Sequence, residues 1–330
     1  RHTHRRMGVA GRIIMQLIPV TPRFVVRWIA SRYVAGPDLA SAVTVMQNLA
    51  AEGACFTIDV LGEEISNLHE VRFFMDEYQA LLDAIVEHEL DANISLKPTA
   101  FGLLIDREKA LENIEMITRK AAEHEIFVRL DMEDNRVTQP TIDVVHAMHE
   151  RGLKNIGTVL QGRLFRTLND IAALSSQAEG FADVRICKGI YLESGDIAHT
   201  GYRDIVEATN AAIDSLLDSG CYTAIATHDM PVINHSLAAL ESRGMGPHAD
   251  DPREHVGHWA AGKGRGYEFQ MLLGVRGNIR RRLAAQGHVT RVYIPYGRRW
   301  YEYSIRRLRE NPDIAWHIAK SFVMPWTNRR

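Results

Sequence analysis

Cysteine is scarce in this chain. Three residues of 330, Cys55, Cys187 and Cys221, stand far apart in apolar runs. An odd, scattered set builds no disulfide framework and reads as buried thiols in a reducing compartment such as the cytoplasm. Proline (11) and glycine (24) make just over a tenth of the chain, which excludes collagen-like and linker compositions. Long apolar runs are missing too. None approaches the ~18 residues of a membrane-spanning helix, and the stretch Val9–Val26 is interrupted by Arg12, Pro19, Pro22 and Arg23. A net charge of −2 supplies no global attraction to nucleic acid. Carboxylates are absent from residues 1–37, which hold seven arginines, and the segment from Arg276 to Arg330 sets thirteen Lys or Arg against Glu302, Glu310 and Asp313. The acidic excess therefore lies in the middle of the chain.

What is present is the composition of a globular enzyme, 46% hydrophobic and 24% charged. At this length one α/β barrel or two ordinary domains would fit. Pattern decides between them. Eight short, β-branched segments read as strands: Cys55–Leu61, Asn93–Lys97, Ile126–Asp131, Ile156–Gln161, Val184–Lys188, Thr223–Thr227, Tyr267–Leu272 and Arg291–Pro295. Helical-period stretches alternate with them, among them Leu68–Glu89, Arg107–Glu123, Gln139–Arg151, Asp204–Asp218 and Val232–Arg243. Nearly continuous apolar runs suit parallel strands buried on both faces. The expectation is an α/β fold, a single (β/α)8 TIM-like barrel over 1–330, preceded by a basic helical segment over 1–53.

In such a barrel, chemistry gathers at the carboxyl ends of the strands. Lys97, Asp131, Gln161, Arg185, Lys188, Thr227 and His228 lie along or at those ends, and Glu63 follows the first strand by two residues. A single polar residue there often caps a helix or meets solvent; a series on successive strands points to a site. The run Tyr293-Ile-Pro-Tyr-Gly-Arg-Arg-Trp-Tyr-Glu-Tyr303-Ser-Ile-Arg306-Arg307-Leu-Arg-Glu310 ends strand eight at a Pro and Gly turn and enters a helix. Tyr303, Arg306, Arg307 and Glu310 fall at spacings that share one side of that helix. Two adjacent guanidiniums form a double fork suited to a carboxylate, and two tyrosines nearby can wall a small apolar ring.

With these motifs assembled, the chain resembles the proline dehydrogenase family in its single-function bacterial form, from about Tyr33 to Pro312. The resemblance rests on Tyr33-Val-Ala-Gly, Leu61-Gly-Glu63, Ser95-Leu-Lys97, Arg129-Leu-Asp131-Met-Glu, Arg185-Ile-Cys-Lys188-Gly-Ile-Tyr191, Ala226-Thr227-His228-Asp, Glu268-Phe-Gln-Met-Leu272-x-Gly-Val-Arg and the Tyr293 to Glu310 run, in that order. It implies FAD-dependent oxidation of L-proline to Δ1-pyrroline-5-carboxylate, with electrons passed on to quinone, in a distorted barrel whose last helix lies over the flavin. It implies Asp131, Arg185 and Tyr293 as catalytic residues. Lys97, Leu272, Tyr303, Arg306 and Arg307 would bind substrate, and Glu63 would gate entry by pairing with the first arginine of that helix. Met132, Gln161, Lys188, Gly189, Ile190, Thr227, His228 and Glu310 would contact FAD, with Arg185 near the reacting end of the flavin. Asp131 and Lys97 are expected to orient one another.

Three other readings compete. A metal-dependent barrel hydrolase draws on fifteen histidines and the i, i+3 pair His255 and His258, but no HxH motif ends a first strand, and no metal is expected. Hydroxyproline is the alternative substrate, disfavoured because Tyr293 fills the space that a ring hydroxyl would need. The basic N-terminal stretch, with Ile13, Ile14, Leu17, Val25, Val26, Trp28 and Ile29, fits a helix docked across the barrel end or, alternatively, peripheral contact with the inner face of the cell membrane.

Overall fold

The computed structural model describes residues 22–62, 64–253 and 262–310. Eight parallel strands close into a barrel in sequence order: β1 (Cys55–Val60), β2 (Ala92–Leu96), β3 (Val128–Leu130), β4 (Ile156–Gln161), β5 (Asp183–Cys187), β6 (Tyr222–Ala226), β7 (Tyr267–Leu272) and β8 (Thr290–Tyr296). The seam is β1 against β8, with Thr57 opposite Tyr293 and Asp59 opposite Pro295. Parallel strands need crossover helices, and the chain supplies α3 (Val71–Glu87), α4 (Arg107–Glu123), α5 (Thr138–Glu150), α6 (Thr167–Gln177), α7 (Tyr202–Asp218), α8 (Met230–Ser242) and α9 (Gly277–Ala285), each following one of the first seven strands. Local chemistry sets their starts: Asp106 accepts the Lys109 amide ahead of α4, and Asn67 with Glu70 forms a capping box, so the expected helix over 68–89 begins as a 3-10 turn.

The eighth position departs from a regular barrel. The flank of β8 is covered by α2 (Leu39–Ala50), which precedes β1 and is capped by Asp38; its buried face is Ala42, Val43, Val45, Met46 and Leu49. The helix that follows β8, α10 (Trp300–Glu310), packs instead on α1 (Arg23–Ala30). Arg23 lies over the Tyr301 ring at 4.8 Å. The Ala35 amide donates to Pro295 and the Gly297 amide to Gly36, which ties this N-terminal segment to the carboxyl end of β8. At Gly274, φ is +76° and a side chain would collide with the Arg32 carbonyl, so glycine is required where the segment crosses the β7 loop. The expected docked helix is thus present for residues 23–30; residues 1–21 lie outside the described residues.

The strands alternate more sharply than their apolar look predicts. Phe56, Ile58 and Val60 of β1, and Val292, Ile294 and Tyr296 of β8, join the apolar layer beneath the helices. The lumen, where such barrels carry mostly branched aliphatics, holds ionic layers instead. Its lower layer joins β3 to β5 through Arg129 Nη2 and Asp183 Oδ1 at 2.6 Å. In the same layer, β8 meets β7 through Arg291 Nε and Glu268 Oε2 at 2.6 Å. Lys263 sits between these pairs, 3.0 Å from Asp183 and 3.7 Å from the centre of the Phe127 ring. Tyr222 donates to Glu268 Oε1 at 2.7 Å. Strands β3 and β5 are not neighbours, so their contact runs through the lumen.

Candidate active site

Two residues further along the same strands, a second charged layer faces the carboxyl mouth. Arg185 on β5 spreads its guanidinium across the lumen: Nη1 donates to Asp131 Oδ1 at 2.6 Å, Nε to Gln270 Oε1 at 2.5 Å and Nη2 to Ser95 Oγ at 3.1 Å. Asp131, just past β3, takes the Tyr293 hydroxyl on its other oxygen at 2.7 Å. Arg185 also lies 5.3 Å from the centre of the Tyr293 ring, close enough for a cation–π contact. Lys97, just past β2, donates to Asp59 Oδ2 at 2.8 Å and stands 3.5 Å from the Tyr293 hydroxyl.

The expected Lys97 and Asp131 pairing is therefore secondary. Their charged atoms are 4.0 Å apart, and the close partner is Asp59, one strand over. The reason is register: Asp59 of β1 lies beside Ser95 of β2, so Lys97 leans across the β1–β2 rung, while Arg185 already holds Asp131. Burial pushes the Asp59 carboxyl up to about 6, against the pull of Lys97. Burial would lower the Lys97 ammonium, but Asp59 and then Asp131 outweigh it and hold it above its usual range. Tyr293 is raised well above an ordinary phenol by burial and by the Asp131 and Asp59 charges, so it stays protonated and donates. The mouth is thus a fixed array of an ammonium, a guanidinium and a phenol donor held by two carboxylates.

The ends of β4 to β6 form the rim. Lys188 pairs with Asp229 at 2.8 Å, and Tyr202 donates to the same carboxylate. Thr227 accepts the Asp229 amide at 3.0 Å. His228 Nε2 accepts the Leu272 amide at 3.2 Å, which puts the ring proton on Nδ1. Burial first, then Arg276 and Lys188, lower His228 to about 4, so the ring is neutral. Gly189 has φ +110°, and a side chain there would press within 2.7 Å of Gln161 Oε1 and 2.8 Å of Arg163 Cδ. Three buried polar atoms on this rim, Gln161 Oε1, Arg163 Nε and His228 Nδ1, find no partner in the described protein. Beside them Ile190 is 64% and Leu192 97% exposed.

Of the residues expected from the sequence, the structure brings Lys97, Asp131, Arg185 and Tyr293 into one cluster and places Gln161, Lys188, Gly189, Ile190, Thr227 and His228 around its rim. Leu272 is 40% exposed at the end of β7, whereas Met132 is buried and belongs to the apolar core. Tyr303 is half-buried on α10. The side chains of Arg306, Arg307 and Glu310, and all of Glu63, His255 and His258, lie outside the described residues. Among the described residues, no three His, Cys, Asp or Glu converge as a metal site, and no helix is long and apolar enough to cross a membrane. Sequence reasoning missed Asp59, Ser95 and Gln270. Their signal was a polar residue in the middle of an otherwise apolar strand.

A closed parallel barrel with a charged cluster at its carboxyl mouth defines a (β/α)8-barrel enzyme. The family model described as Proline dehydrogenase matches residues 42–319. Proline dehydrogenase 1 of Bacillus subtilis subsp. natto is 32% identical over 294 residues, covering 89% of this chain and 90% of the relative. Proline dehydrogenase of Deinococcus radiodurans is 33% identical over 299 residues, again covering 89% and 90%. The chain belongs to the proline dehydrogenase family. The fold is that of proline utilization A from Bdellovibrio bacteriovorus, solved after inactivation by N-propargylglycine, with a TM-score of 0.74 at 21% identity; the match covers 86% of this chain and 32% of that one. This chain thus spans about a third of that protein's length.

Proposed function

We propose that this chain forms one dehydrogenase domain that binds FAD and oxidises L-proline to Δ1-pyrroline-5-carboxylate, with a quinone as the next electron acceptor. The observation that carries the reading is the mouth cluster of Lys97, Asp131, Arg185 and Tyr293 in a chain of this family. The rim residues suit a flavin. The imidazole N–H of His228, the Gln161 carbonyl and Arg163 Nε offer two donors and an acceptor without protein partners, matched to a ligand with donors and acceptors of its own. Gly189 lets the backbone lie against Gln161 and Arg163, where a side chain would collide, and Ile190 with Leu192 provides exposed apolar surface for a ring system. Gln161, Lys188, Gly189, Ile190, Thr227 and His228 are therefore the residues proposed to hold the cofactor, with Met132 behind them and Glu310 on α10.

When bound, FAD supplies the acceptor for the hydride. The protein's part is to place the substrate and keep each proton where it belongs. Lys97 is the cation that faces a substrate carboxylate within the described cluster, and Arg306 and Arg307 on α10 are proposed to complete the clamp. Tyr293 gives the ring a wall and keeps its own proton. Both oxygens of Asp131 are engaged, one by Arg185 and one by Tyr293, so Asp131 acts by fixing those two groups rather than by accepting the amine proton. Arg185 sets its guanidinium beside the reacting region, where a positive charge favours electron transfer to a flavin.

The test is direct. The purified protein should be yellow with flavin absorbance and should reduce a soluble quinone on addition of L-proline, with kcat/KM for L-proline above that for hydroxyproline. A protein that binds no FAD, or that stays oxidised in proline, overturns the reading. Peripheral membrane contact is proposed from the basic start of the chain and the exposed Phe24 and Trp28 of α1. Flotation with vesicles that depends on anionic lipid supports it, and its absence at low salt removes it.

A further inference from the structure

We infer that Gln270 is a positioning residue for Arg185, with Glu268 of the lower layer fixing its orientation; the catalytic consequence rests on the function proposed above. Gln270 sits on β7 between the two charged layers and is fully buried. Its Nε2 donates to Glu268 Oε2 at 3.2 Å, and its Oε1 accepts from Arg185 Nε at 2.5 Å. A carboxylate only accepts and a guanidinium only donates, so each end of the amide has a partner that forbids the flip. Reversal would set carbonyl against carboxylate and N–H against N–H.

Glu268 is itself pinned. Its Oε2 takes Arg291 Nε at 2.6 Å, its Oε1 takes the Tyr222 hydroxyl at 2.7 Å, and Lys263 stands 4.0 Å away. The chain of contacts therefore runs Arg291, Glu268, Gln270, Arg185, Asp131 and Tyr293, from the sealed end of the lumen to the mouth. Arg185 has its other two partners, Asp131 and Ser95, on the β2–β3 side. Without Gln270 no described residue holds Nε toward β7, and the guanidinium swings toward those partners. Asp131 is shared with Tyr293, so the displacement reaches the wall of the site.

Gln270→Met keeps the length of the side chain and removes both hydrogen bonds. Hydrogen exchange at Arg185 Nε, followed by 15N NMR on the purified protein and assigned with Arg185→Lys, is expected to quicken by about tenfold or more in this variant, because a lost hydrogen bond of ~1.4 kcal/mol corresponds to that factor. In the flavin-loaded enzyme, kcat for proline should fall by roughly tenfold to a hundredfold with KM little changed, and the flavin reduction potential should move negative. A purely structural role would lower the melting temperature and leave the potential where it was. Gln270→Leu likewise removes both hydrogen bonds without adding a charge and should show the same changes in exchange and in kcat. Exchange and potential equal to wild type in a folded Gln270→Met or Gln270→Leu overturn the inference. The exchange measurement needs no turnover: a wild type inactive on proline sinks the proposed function, while fast exchange confined to the variants still supports the positioning role.

Discussion

The two charged layers of the lumen are carried by the same strands, two residues apart, with their polarity exchanged. In the lower layer β3 contributes the cation, Arg129, and β5 the anion, Asp183. In the upper layer β3 leads to the anion, Asp131, and β5 carries the cation, Arg185. Their surroundings differ more than their chemistry. Arg129, Glu268 and Arg291 are at most 1% exposed, and Lys263 is enclosed by the Phe127 and Tyr222 rings. Lys97, Asp131, Arg185 and Tyr293 lie where the barrel opens, beside rim atoms that have no partner in the described protein. A step of one pleat leads from a sealed ionic plug to the open mouth, the surface proposed to bind substrate. Removing one partner of a sealed pair strands a buried charge, whereas the upper layer opens onto rim atoms without partners among the described residues.

The largest effect that tests this contrast is on folding. Arg291→Met leaves Glu268 without its closest cation and should cost ~3–5 kcal/mol in urea denaturation. A loss below ~1 kcal/mol would show that the lower layer is not the stabilising one. In the upper layer the larger response should be in turnover: Arg185→Met should cut kcat/KM for proline by roughly two to three orders of magnitude. Wild-type turnover in a folded Arg185→Met would erase the distinction between the layers.

The layers should also titrate in opposite senses. Burial lowers the Lys263 ammonium to about 8, from an ordinary 10.5. The unfolded chain then binds more protons between those values, so this group's contribution to stability is lost as pH falls from 10.5 through 8. Asp59 is raised from 3.8 to about 6 by burial, so its contribution is present below 3.8 and is lost as pH rises through 6. Subtracting the stability profile of Lys263→Met or Asp59→Asn from that of wild type should isolate slopes of opposite sign in those two windows. Two slopes of the same sign would refute the assignment. The smallest effect expected is a matched pair: Tyr222→Phe loses a buried hydrogen bond to Glu268 and should cost ~1 kcal/mol of stability, while Tyr293→Phe should cost less in stability and more in turnover.

Much of the fold was legible because each strand is a short β-branched run between helical stretches. Strands Ile156–Gln161 and Tyr267–Leu272 and the helix Arg107–Glu123 match their expected bounds to the residue. The strand expected over 126–131 shrinks to Val128–Leu130: the Ile126 amide turns back to Ala121 of α4, and Phe127 gives the ladder its carbonyl alone, to the Ile94 amide of β2. Site residues at strand ends were visible because a polar residue there interrupts an apolar run. Asp59 was not, because its partner Lys97 comes from another strand and only the register of β1 on β2 joins them. The lower layer was hidden for a similar reason: Arg129 and Asp183 are 54 residues apart and meet only once the barrel has closed. Lys97 was assigned to Asp131 because the competing claim of Arg185 on that carboxylate is a property of the lumen, not of any single strand.

The covering of β8 by α2 has a consequence for how the chain is made. Helix α2 and strand β1 leave the ribosome well ahead of β8, yet the strand both of them need is the last of the eight, and the Cys55 thiol meets its carbonyl partner on Thr290 across 235 residues. Until then the apolar stripe of Val43, Met46 and Leu49 has no wall to rest on. Closure is therefore a late, long-range event in biosynthesis, and the nascent chain is at its most aggregation-prone just before β8 emerges.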